Sequence, residues 1–333
     1  MPKISVIIPF YNAGDSLDTA VKSIQDQSFK DFECILINNN STDRSFEIAQ
    51  NQTKKDSRFK LVCENKQGVA HASNKGSQIA QGEYIARMEA DDVAFPKRIE
   101  LQYKFLRNNA DYGAVGGLVT FGGHPEQAAG IKRFIDWNNK LVTYDEIALN
   151  RFIELPIINP TAMWKKSTEA KSGNYTHGNF PEDYELWLRW LDDGVKIAKI
   201  KEPVLQWNDP PDRLTRTDDR YRVEAFYDVK SQYLYRWLEK NNIHYPNVYI
   251  WGASRRIRHR AFKLKQYGIK ILGYIDVHKR RQIDENVIFY KELPPPENSF
   301  ILVYMPHHDI KKEIAEHLHL FGYIEGINYI FAA

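Results

Sequence analysis

The sequence predicts an α/β protein, with a parallel, doubly wound sheet in its amino-terminal part and a second, smaller α/β domain at the carboxyl terminus. Three observations support this fold class. Short apolar runs alternate with segments of helical spacing through roughly the first 120 residues. Acidic and amide residues follow several of these runs directly. Near the end of the chain, two more apolar runs flank a glycine-containing turn and a basic helical segment.

Largely apolar runs, typical of strands buried on both faces, occur in the first part of the chain at residues 4–9, 32–37, 59–63 and 82–88. Between them lie segments with apolar residues at helical spacing, at about residues 17–28, 44–53 and 68–79. Asp43 stands where it would cap the second of these helices. Because helical crossovers join parallel strands, the alternation predicts a parallel sheet whose loops gather at one edge.

Three acids, Glu89, Asp91 and Asp92, directly follow the strand predicted at residues 82–88. Ligands of open α/β sheets bind at the carboxyl ends of the strands. Neighbouring carboxylates repel one another there and lose solvation, so a cation should compensate them. Mg²⁺ commonly uses one or two carboxylates together with substrate phosphates. The alternative is a helix cap, because a helix is predicted to begin near Arg98.

Five short motifs occur in order along the first part of the chain: VIIPFYN at residues 6–12, INNNSTD at 37–43, GVAHASN at 68–74, EADD at 89–92 and PEDYELWLRW at 181–190. Together they resemble the motifs of family 2 glycosyltransferases with the GT-A fold, over roughly the first 210 residues. The resemblance refines the expected fold to a GT-A domain, the Rossmann-like fold of nucleotide-diphospho-sugar transferases, followed by a small Rossmann-like α/β domain.

The resemblance implies transfer of a sugar from a nucleotide-diphosphate donor, a UDP- or dTDP-sugar, to a glycan or lipid-linked acceptor in bacterial cell-surface polysaccharide biosynthesis. Asp92 with Asp91 would hold Mg²⁺ or Mn²⁺, which stabilises the leaving diphosphate. Asp183 would be the base that accepts the proton of the acceptor hydroxyl. A single displacement then inverts the anomeric configuration. The alternative role for Glu182 and Asp183 is to favour a helix start, where acids meet the positive end of the dipole.

The resemblance also assigns residues to the two substrates. The donor-binding candidates are Pro9, Tyr11, Asn39, Asp91 and Glu89, and the acceptor-side candidates are Glu182, Trp187 and Arg189. Trp187 has a second tryptophan three positions later at helical spacing, so core packing is the simpler interpretation of this residue and sugar stacking is the alternative.

Three departures from the family pattern concern the donor nucleotide. Asn38 and Asn39 stand where the family usually has acids, and an asparagine carbonyl accepts a hydrogen bond from a base without charge assistance. Ser73 stands where many relatives have arginine, and Glu89 replaces a usual aspartate. The sequence therefore leaves the base of the donor open.

Composition is typical of a cytoplasmic enzyme. The chain has 333 residues, of which 43% are hydrophobic, enough for two domains with cores of their own. No apolar run approaches the roughly 18–20 residues of a membrane span. Pro2 and Lys3 lead directly into a strand, which is unlike a signal peptide. Cys34 and Cys63 fall in strands predicted to be buried, as expected of thiols in a reducing compartment.

Arginine is concentrated between about Arg213 and Arg281, for example in RRIRHR at residues 255–260. Such a segment predicts either a peripheral contact with the inner face of the cell membrane, through anionic headgroups or a lipid-diphosphate acceptor, or a solvated helix face. The second interpretation is simpler, because no apolar insertion face accompanies the charge. Nucleic acid is not an expected partner, since aromatic stacking motifs and a helix-turn-helix pattern are absent from the sequence.

The predicted domains are residues 1–210, a helical connector at 211–244 and an α/β domain at 245–333. In the last, a strand, a turn with Gly252, a basic helix and a strand ending at Asp276 resemble a dinucleotide-binding βαβ unit. Ser254 and Ile257 replace the later glycines of that fingerprint and would block a pyrophosphate. This domain is therefore expected to bind no NAD and to have a structural or docking role.

Two other function classes remain at this point. A nucleotidyltransferase or an NAD-dependent sugar-modifying enzyme would use one of the two Rossmann-like units. A non-catalytic module that binds carbohydrate or nucleotide would explain the altered base-binding residues. The presence of both Asp92 and Asp183 favours an active glycosyltransferase.

Overall fold

The structure, a computed structural model, describes residues 1–123, 129–210, 213–278, 286–305 and 308–333. The chain divides into two compact units. The first comprises Met1–Ile147 with Pro156–Asp218, and the second comprises Ala148–Leu155 with Asp219–Ala333.

The described part of the first unit contains an eight-stranded sheet in the spatial order β3-β2-β1-β4-β7-β6-β8-β5. The strands are β1 (Ile4–Phe10), β2 (Phe32–Asn38), β3 (Phe59–Cys63), β4 (Tyr84–Arg87), β5 (Val93–Ala94), β6 (Tyr112–Phe121), β7 (Met163–Lys165) and β8 (Lys196–Trp207). The first four are parallel, as predicted. β7 is antiparallel to both β4 and β6, and β5 is antiparallel to β8. The sheet is therefore mixed rather than wholly parallel.

Helices of the first unit lie between these strands. They are α1 (Leu17–Gln25), α2 (Ser45–Lys55), α3 (Val69–Ile79), α4 (Arg98–Asn108), α5 (Ala129–Asn138), α6 (Tyr144–Asn150, which crosses into the second unit), α7 (Lys166–Ser172), α8 (Glu182–Asp192) and α9 (Leu214–Thr217). A single turn of 3₁₀ helix spans Asn159–Thr161. The helices predicted after β1, β2 and β3 are all present.

Asp43 does not occupy the cap position predicted for it, because α2 begins one residue later than expected and its N-cap is Arg44. The carboxylate of Asp43 instead accepts hydrogen bonds from the backbone N–H of Gly14, at 2.8 Å, and of Ser45, at 3.0 Å. It therefore ties the loop after β1 to the start of α2.

The core of the first unit follows the burial expected of a sheet covered on both faces. Every residue of β1 and β2 is buried. The apolar residues of α1, such as Leu17 and Ile24, pack into the same core. Cys34 is buried on β2, but Cys63 is exposed. The prediction for Cys63 was wrong because β3 is an edge strand, paired only with β2.

The second unit contains a five-stranded sheet that is parallel throughout, in the order β11-β10-β9-β12-β13. Its strands are β9 (Asn247–Trp251), β10 (Lys270–Asp276), β11 (Val287–Phe289), β12 (Ile301–Val303) and β13 (Tyr329–Phe331). Its helices are α10 (Val223–Asn241), α11 (Arg255–Phe262) and α12 (His308–Leu320), with 3₁₀ turns at Asp219–Tyr221, Lys263–Tyr267 and Pro296–Asn298. In chain order the sheet reads 3-2-1-4-5, which is a doubly wound, Rossmann-like arrangement. The predicted fold class is confirmed for both parts of the chain.

The glycine turn after β9 is closed rather than open. Gly252 has a φ of +117°, and a Cβ atom placed on it would lie 2.5 Å from Cδ1 of Ile257. The Ile257 side chain therefore fills the space through which a pyrophosphate approaches the backbone in a dinucleotide site. α10 lies within this second unit. The domain boundaries at residues 210 and 244 stay predictions.

Across the described ranges, none of the helices combines the length and the hydropathy needed to cross a bilayer.

Candidate active site

The acidic loop after β4 is held in place by the end of β8. β5 follows the loop and pairs antiparallel with β8, so residues just after Trp207 come beside Asp91 and Asp92. The backbone N–H of Asn208 donates to Oδ1 of Asp92 at 2.9 Å, and its side-chain Nδ2 donates to the backbone O of Asp91 at 2.6 Å. One asparagine thus fixes the positions of both acids.

The second carboxylate oxygen of Asp92 is the strongest indication of a cation site. Asp92 is only 1% exposed. Its Oδ2 is buried and has no hydrogen-bond partner among the described residues. Burial, and next the charge of Asp91, raise the pKa of Asp92 well above its ordinary value. A buried acceptor without a partner is costly. The carboxylate therefore fits a divalent cation, which would supply the missing partner and favour the ionised form.

Two buried arginines lie next to the acidic loop. Arg87, the last residue of β4, forms an ion pair between its Nη2 and Oε1 of Glu89 at 2.7 Å, and its guanidinium is 1% exposed. Nη2 of Arg98 donates to the backbone O of Arg87. Burial lowers the pKa of Arg98 to about 9, while the charge of Asp92 acts in the opposite direction. These cations offset part of the negative charge. In the sequence, Arg87 is marked only as a charged residue inside an apolar run.

Asp183 lies in the first turn of α8, as predicted. Its Oδ1 accepts a hydrogen bond from the backbone N–H of Tyr184 at 2.7 Å. Burial raises the pKa of Asp183 to about 7, and the charges of Glu182 and then Glu89 add to this effect, while Arg213 opposes it. A carboxyl group with a pKa near neutrality is suited to accept a proton from a substrate hydroxyl and release it again.

The pKa of Asp183 predicts how activity depends on pH. The base is active only when ionised, so kcat/KM should rise with pH up to about 7 and then level off. The raised pKa also means that ionisation opposes folding, so this residue's contribution to stability falls as pH rises between about 4 and about 7. In Asp183→Asn that loss should disappear, and thermal melts across this pH range would show it. A kcat/KM profile that stays flat down to a pH of about 5 would contradict the assignment.

Arg213 was not predicted as a site residue. Its guanidinium carbon lies 3.9 Å from the ring centroid of Trp207, the last residue of β8. Its charge lowers the pKa of both Asp92 and Asp183, so it lies near each of them. The sequence showed only that arginines become frequent from this point on, which does not distinguish a site residue from a solvated one.

Asn39 holds the loop that leads into α3. Its Nδ2 donates to the backbone O of Glu64 at 2.8 Å and of Lys66 at 2.9 Å, and its Oδ1 accepts from the N–H of Gly68 at 2.8 Å. An ionised aspartate, which only accepts hydrogen bonds, could not make the two donated bonds. This explains an asparagine where the family usually has an acid. The contact of Asn39 with the donor base stays a prediction.

The other donor-side candidates lie at the carboxyl end of β1. Pro9 is within the strand, opposite Ile37 of β2, and Tyr11 follows it with 54% of its surface exposed. The backbone N–H of Asn39 donates to the O of Phe10 at 3.0 Å, which brings the ends of β1 and β2 together. The arrangement suits contacts with a donor, and these roles also stay predictions.

The structure decides between the two interpretations of Trp187, one of the three acceptor-side candidates. Trp187 is fully buried, with its ring centroid 5.4 Å from that of Trp190 and 6.3 Å from that of Trp164. It therefore packs in the core and has no surface for an acceptor. Arg189 forms an ion pair with Glu185, with Nε 2.9 Å from Oε1, and donates from Nη2 to the backbone O of Asn174 at 2.7 Å. Arg189 thus holds the loop before α8, and its contact with an acceptor stays a prediction.

Glu182, the third acceptor-side candidate, is 5% exposed. Its charge helps to raise the pKa of the neighbouring Asp183. Its contact with an acceptor stays a prediction.

Replacement of Trp187 distinguishes core packing from acceptor binding. Trp187→Ala should lower the free energy of unfolding by about 3–5 kcal/mol, because it removes a fully buried indole from a tryptophan cluster. Tyr11→Ala, at an exposed residue, should leave stability nearly unchanged and raise the KM for the donor. Denaturant melts and steady-state kinetics of both variants check this. A Trp187→Ala protein of wild-type stability with a raised acceptor KM would restore the original assignment.

Comparison with known proteins identifies the family of the chain. The profile described as Glycosyl transferase family 2 matches residues 5–168. The O-antigen biosynthesis glycosyltransferase WbnJ of Escherichia coli is 30% identical over 251 residues, 72% of this chain and 91% of that protein. The chain belongs to glycosyltransferase family 2. The uncharacterized glycosyltransferase MJ1057 of Methanocaldococcus jannaschii is 29% identical over 255 residues, which cover 75% of this glycosyltransferase and 84% of the relative.

Two solved structures share the fold of this family 2 glycosyltransferase. S. aureus TarS 1-349 in complex with UDP-GlcNAc superposes with a TM-score of 0.56 at 17% identity, covering 80% of this chain and 71% of that one. The mannosyltransferase PcManGT from Pyrobaculum calidifontis, in complex with GDP-Man and Mn²⁺, has a TM-score of 0.52 at 15% identity, with coverages of 80% and 73%. At such identities the similarity concerns the fold alone.

Proposed function

We propose that this glycosyltransferase is a metal-dependent, inverting enzyme that moves a sugar from a nucleotide diphosphate to a saccharide or lipid-linked acceptor. One observation supports this most strongly. Asp92 and Asp183 both lie near Arg213, and both have raised pKa values. Asp92 has a buried oxygen without a hydrogen-bond partner among the described residues, whereas Asp183 has a pKa of about 7. Two carboxyls in such different environments suit separate roles, one as a cation ligand and the other as a proton acceptor.

Asp92, with Asp91 beside it, would hold Mg²⁺ or Mn²⁺. The described residues contain no group of three or more His, Cys, Asp and Glu side chains arranged to hold a metal. A site with one or two protein carboxylates is typical of Mg²⁺ shared with substrate phosphates. The related fold of PcManGT was solved with GDP-Man and Mn²⁺. When bound, the cation would stabilise the charge that grows on the leaving diphosphate.

Asp183 would accept the proton of the attacking acceptor hydroxyl. Its ionised form is disfavoured by burial and by the charge of Glu182, so it takes up a proton near neutral pH. Because the proposed reaction needs no covalent intermediate, the hydroxyl attacks opposite the diphosphate and the anomeric configuration inverts. Arg213 supplies a fixed positive charge near both acids, which favours an anionic donor.

The donor would lie across the carboxyl ends of β1, β2 and β4, with contacts from Pro9, Tyr11, Asn39, Glu89 and Asp91. UDP- or dTDP-sugars are the proposed donors. S. aureus TarS was solved with UDP-GlcNAc on a similar fold. Asn39 uses both amide N–H groups and one lone pair of its carbonyl oxygen within the protein, so only the second lone pair of Oδ1 is left to accept a hydrogen bond from the base.

The proposed process is assembly of a bacterial surface polysaccharide in the cytoplasm. Sequence similarity to a glycosyltransferase named for O-antigen biosynthesis supports this proposal. The proposed acceptor is a growing glycan or a lipid-linked saccharide. Arg255 and Arg256 at the start of α11 are exposed and are the candidates for a peripheral contact with anionic headgroups.

A screen of nucleotide sugars for metal-dependent thermal stabilisation tests the proposed function. The true donor should raise the melting temperature with Mn²⁺ present and should lose this effect when a chelator is added. Asp92→Asn should show no metal-dependent rise. Stabilisation by NAD(H), with no response to any nucleotide sugar, would favour the sugar-modifying alternative.

A further inference from the structure

The carboxyl-terminal sheet has a topological switch point between β9 and β12, where the strand order reverses. Open α/β sheets bind ligands in the crevice outside the carboxyl ends of the strands at such a point. The glycine turn that follows β9 is filled by Ile257. The other side of the crevice begins with Tyr304, the residue after β12, and continues into the first turn of α12 with Lys311.

Three basic side chains of this unit are largely withdrawn from solvent. Lys230 on α10 is 4% exposed and Lys311 is 8% exposed, while the side chain of Arg260 on α11 is 12% exposed. Lys230 and Arg260 both approach the ring of Tyr227, at 4.4 Å and 4.3 Å from its centroid. Nζ of Lys230 donates to the backbone O of Ala332, just after β13, at 3.2 Å. Burial, and then the charges of Lys311 and Arg260, lower the pKa of Lys230 to about 7, so the three basic groups lie near one another, and the cluster reaches the carboxyl end of β13.

Several polar atoms of this cluster have no hydrogen-bond partner among the described residues. They are Nζ of Lys311, Oη of Tyr304 and Nε of Arg260, all buried. The ring of Tyr304 stacks on that of Tyr227, with centroids 6.2 Å apart and an interplanar angle of 21°. The hydroxyl without a partner and the arginine thus meet around one aromatic ring.

Nearby acids compensate the cluster only in part. Burial lowers the pKa of Lys311 to about 8, against the opposing charges of Glu154 and Glu325. Burial also raises the pKa of Glu325 to about 6. Glu224 lies 3.6 Å from Nε of Arg260, too far for a hydrogen bond, and is half exposed. A buried ammonium without a hydrogen-bonded partner is strongly unfavourable, and an anion between these groups would remove that cost.

We propose that Lys311, Tyr304, Lys230 and Arg260 form a binding site for a small phosphate-bearing molecule at this switch point. Lys311 and Tyr304 would donate to the phosphate oxygens, and Lys230 and Arg260 would supply further positive charge. The ligand is a phosphorylated small molecule rather than a dinucleotide, because Ile257 closes the glycine turn. The site lies wholly within the second unit and does not depend on the proposed transferase chemistry.

Phosphate binding to the 333-residue chain tests this site. Titrations of inorganic phosphate and pyrophosphate would be followed by calorimetry and thermal melts, with a chelator present so that the metal-dependent donor site does not respond. Chloride and citrate at matched ionic strength separate phosphate recognition from screening and from binding of carboxylates. Lys311→Met removes the ammonium with no hydrogen-bond partner. Lys312→Met, at the next residue and with 84% of its side chain exposed, is the matched control.

The wild type should bind phosphate or pyrophosphate saturably and more tightly than citrate. Lys311→Met should weaken this binding about tenfold or more, the usual effect of losing a charged hydrogen bond, while Lys312→Met behaves as the wild type. Without phosphate, Lys311→Met should melt no lower than the wild type, because a buried ammonium has been removed.

Tyr304→Phe removes a single hydroxyl and should weaken phosphate binding severalfold. This variant tests the site even if Lys311→Met folds poorly. Equal phosphate binding by the wild type and Tyr304→Phe, no saturable binding by the wild type, or citrate binding as tight as phosphate would overturn the proposal.

Discussion

Asp183→Asn is expected to lower kcat by about 10²–10⁴-fold, the usual contribution of a general base, while the affinity for the donor survives. The asparagine keeps an acceptor oxygen for the N–H of Tyr184, so the first turn of α8 should stay folded. It cannot take up the acceptor proton. The donor contacts come from the ends of β1, β2 and β4, so the loss should fall on kcat rather than on donor binding.

Steady-state kinetics with the true donor and acceptor, together with donor titrations in the presence of Mn²⁺, measure this effect. Asp193→Asn is a matched control, because Asp193 ends the same helix and is exposed. It should leave kcat unchanged. A loss of less than about tenfold in a folded Asp183→Asn enzyme, well below the general-base range, would move the role to another acid, with Glu182 the first to examine.

Asp92→Asn is expected to abolish transfer and to remove metal-dependent nucleotide binding. The amide can still accept from the N–H of Asn208, but its second group is a donor, which repels a cation where Oδ2 would bind it. Burial disfavours the charge of Asp92 in the metal-free protein, so the variant should be at least as stable as the wild type. Asp111→Asn, at a half-exposed residue that pairs with Lys196, is a control for loss of one negative charge.

Thermal shifts with donor and Mn²⁺, and activity assays, report on Asp92→Asn and its control. The wild type and Asp111→Asn should both be stabilised by donor plus metal, and both should lose activity in a chelator. Asp92→Asn should show neither stabilisation nor activity. Full activity of a folded Asp92→Asn enzyme in the presence of chelator would contradict the metal assignment.

The parts of the fold that sequence alone predicts correctly are those with strong local signals. β1 and β2 are continuous apolar runs because both faces of each strand are covered. The acids of the metal motif follow such a strand, so the edge on which they lie could be inferred. In contrast, β7 is three residues long and has no such signal. Its antiparallel insertion between β4 and β6 could not be predicted.

The parts of the site that sequence alone misses depend on contacts between distant residues. Asn208 binds Asp92 across 116 positions of the chain, and nothing in the local sequence marks it. The role of Trp187 could not be decided from the local sequence, because an apolar residue on a helix gives the same pattern whether it packs in the core or contacts a sugar. Only its burial decides that it belongs to the core. Lys230 and Lys311 lie on separate helices, so their cluster also emerges only in three dimensions.

The anomeric configuration of the first product tests the central claim most directly. Real-time NMR of the donor identified by thermal screening, with diamagnetic Mg²⁺ and either an acceptor saccharide or water as the acceptor, follows the donor's anomeric proton as it is replaced. A metal-dependent, inverting reaction with Asp183 as base predicts that the first product has the opposite anomeric configuration and fails to form with Asp92→Asn. A product that keeps the donor's configuration would contradict the single-displacement mechanism, and with it the role of Asp183.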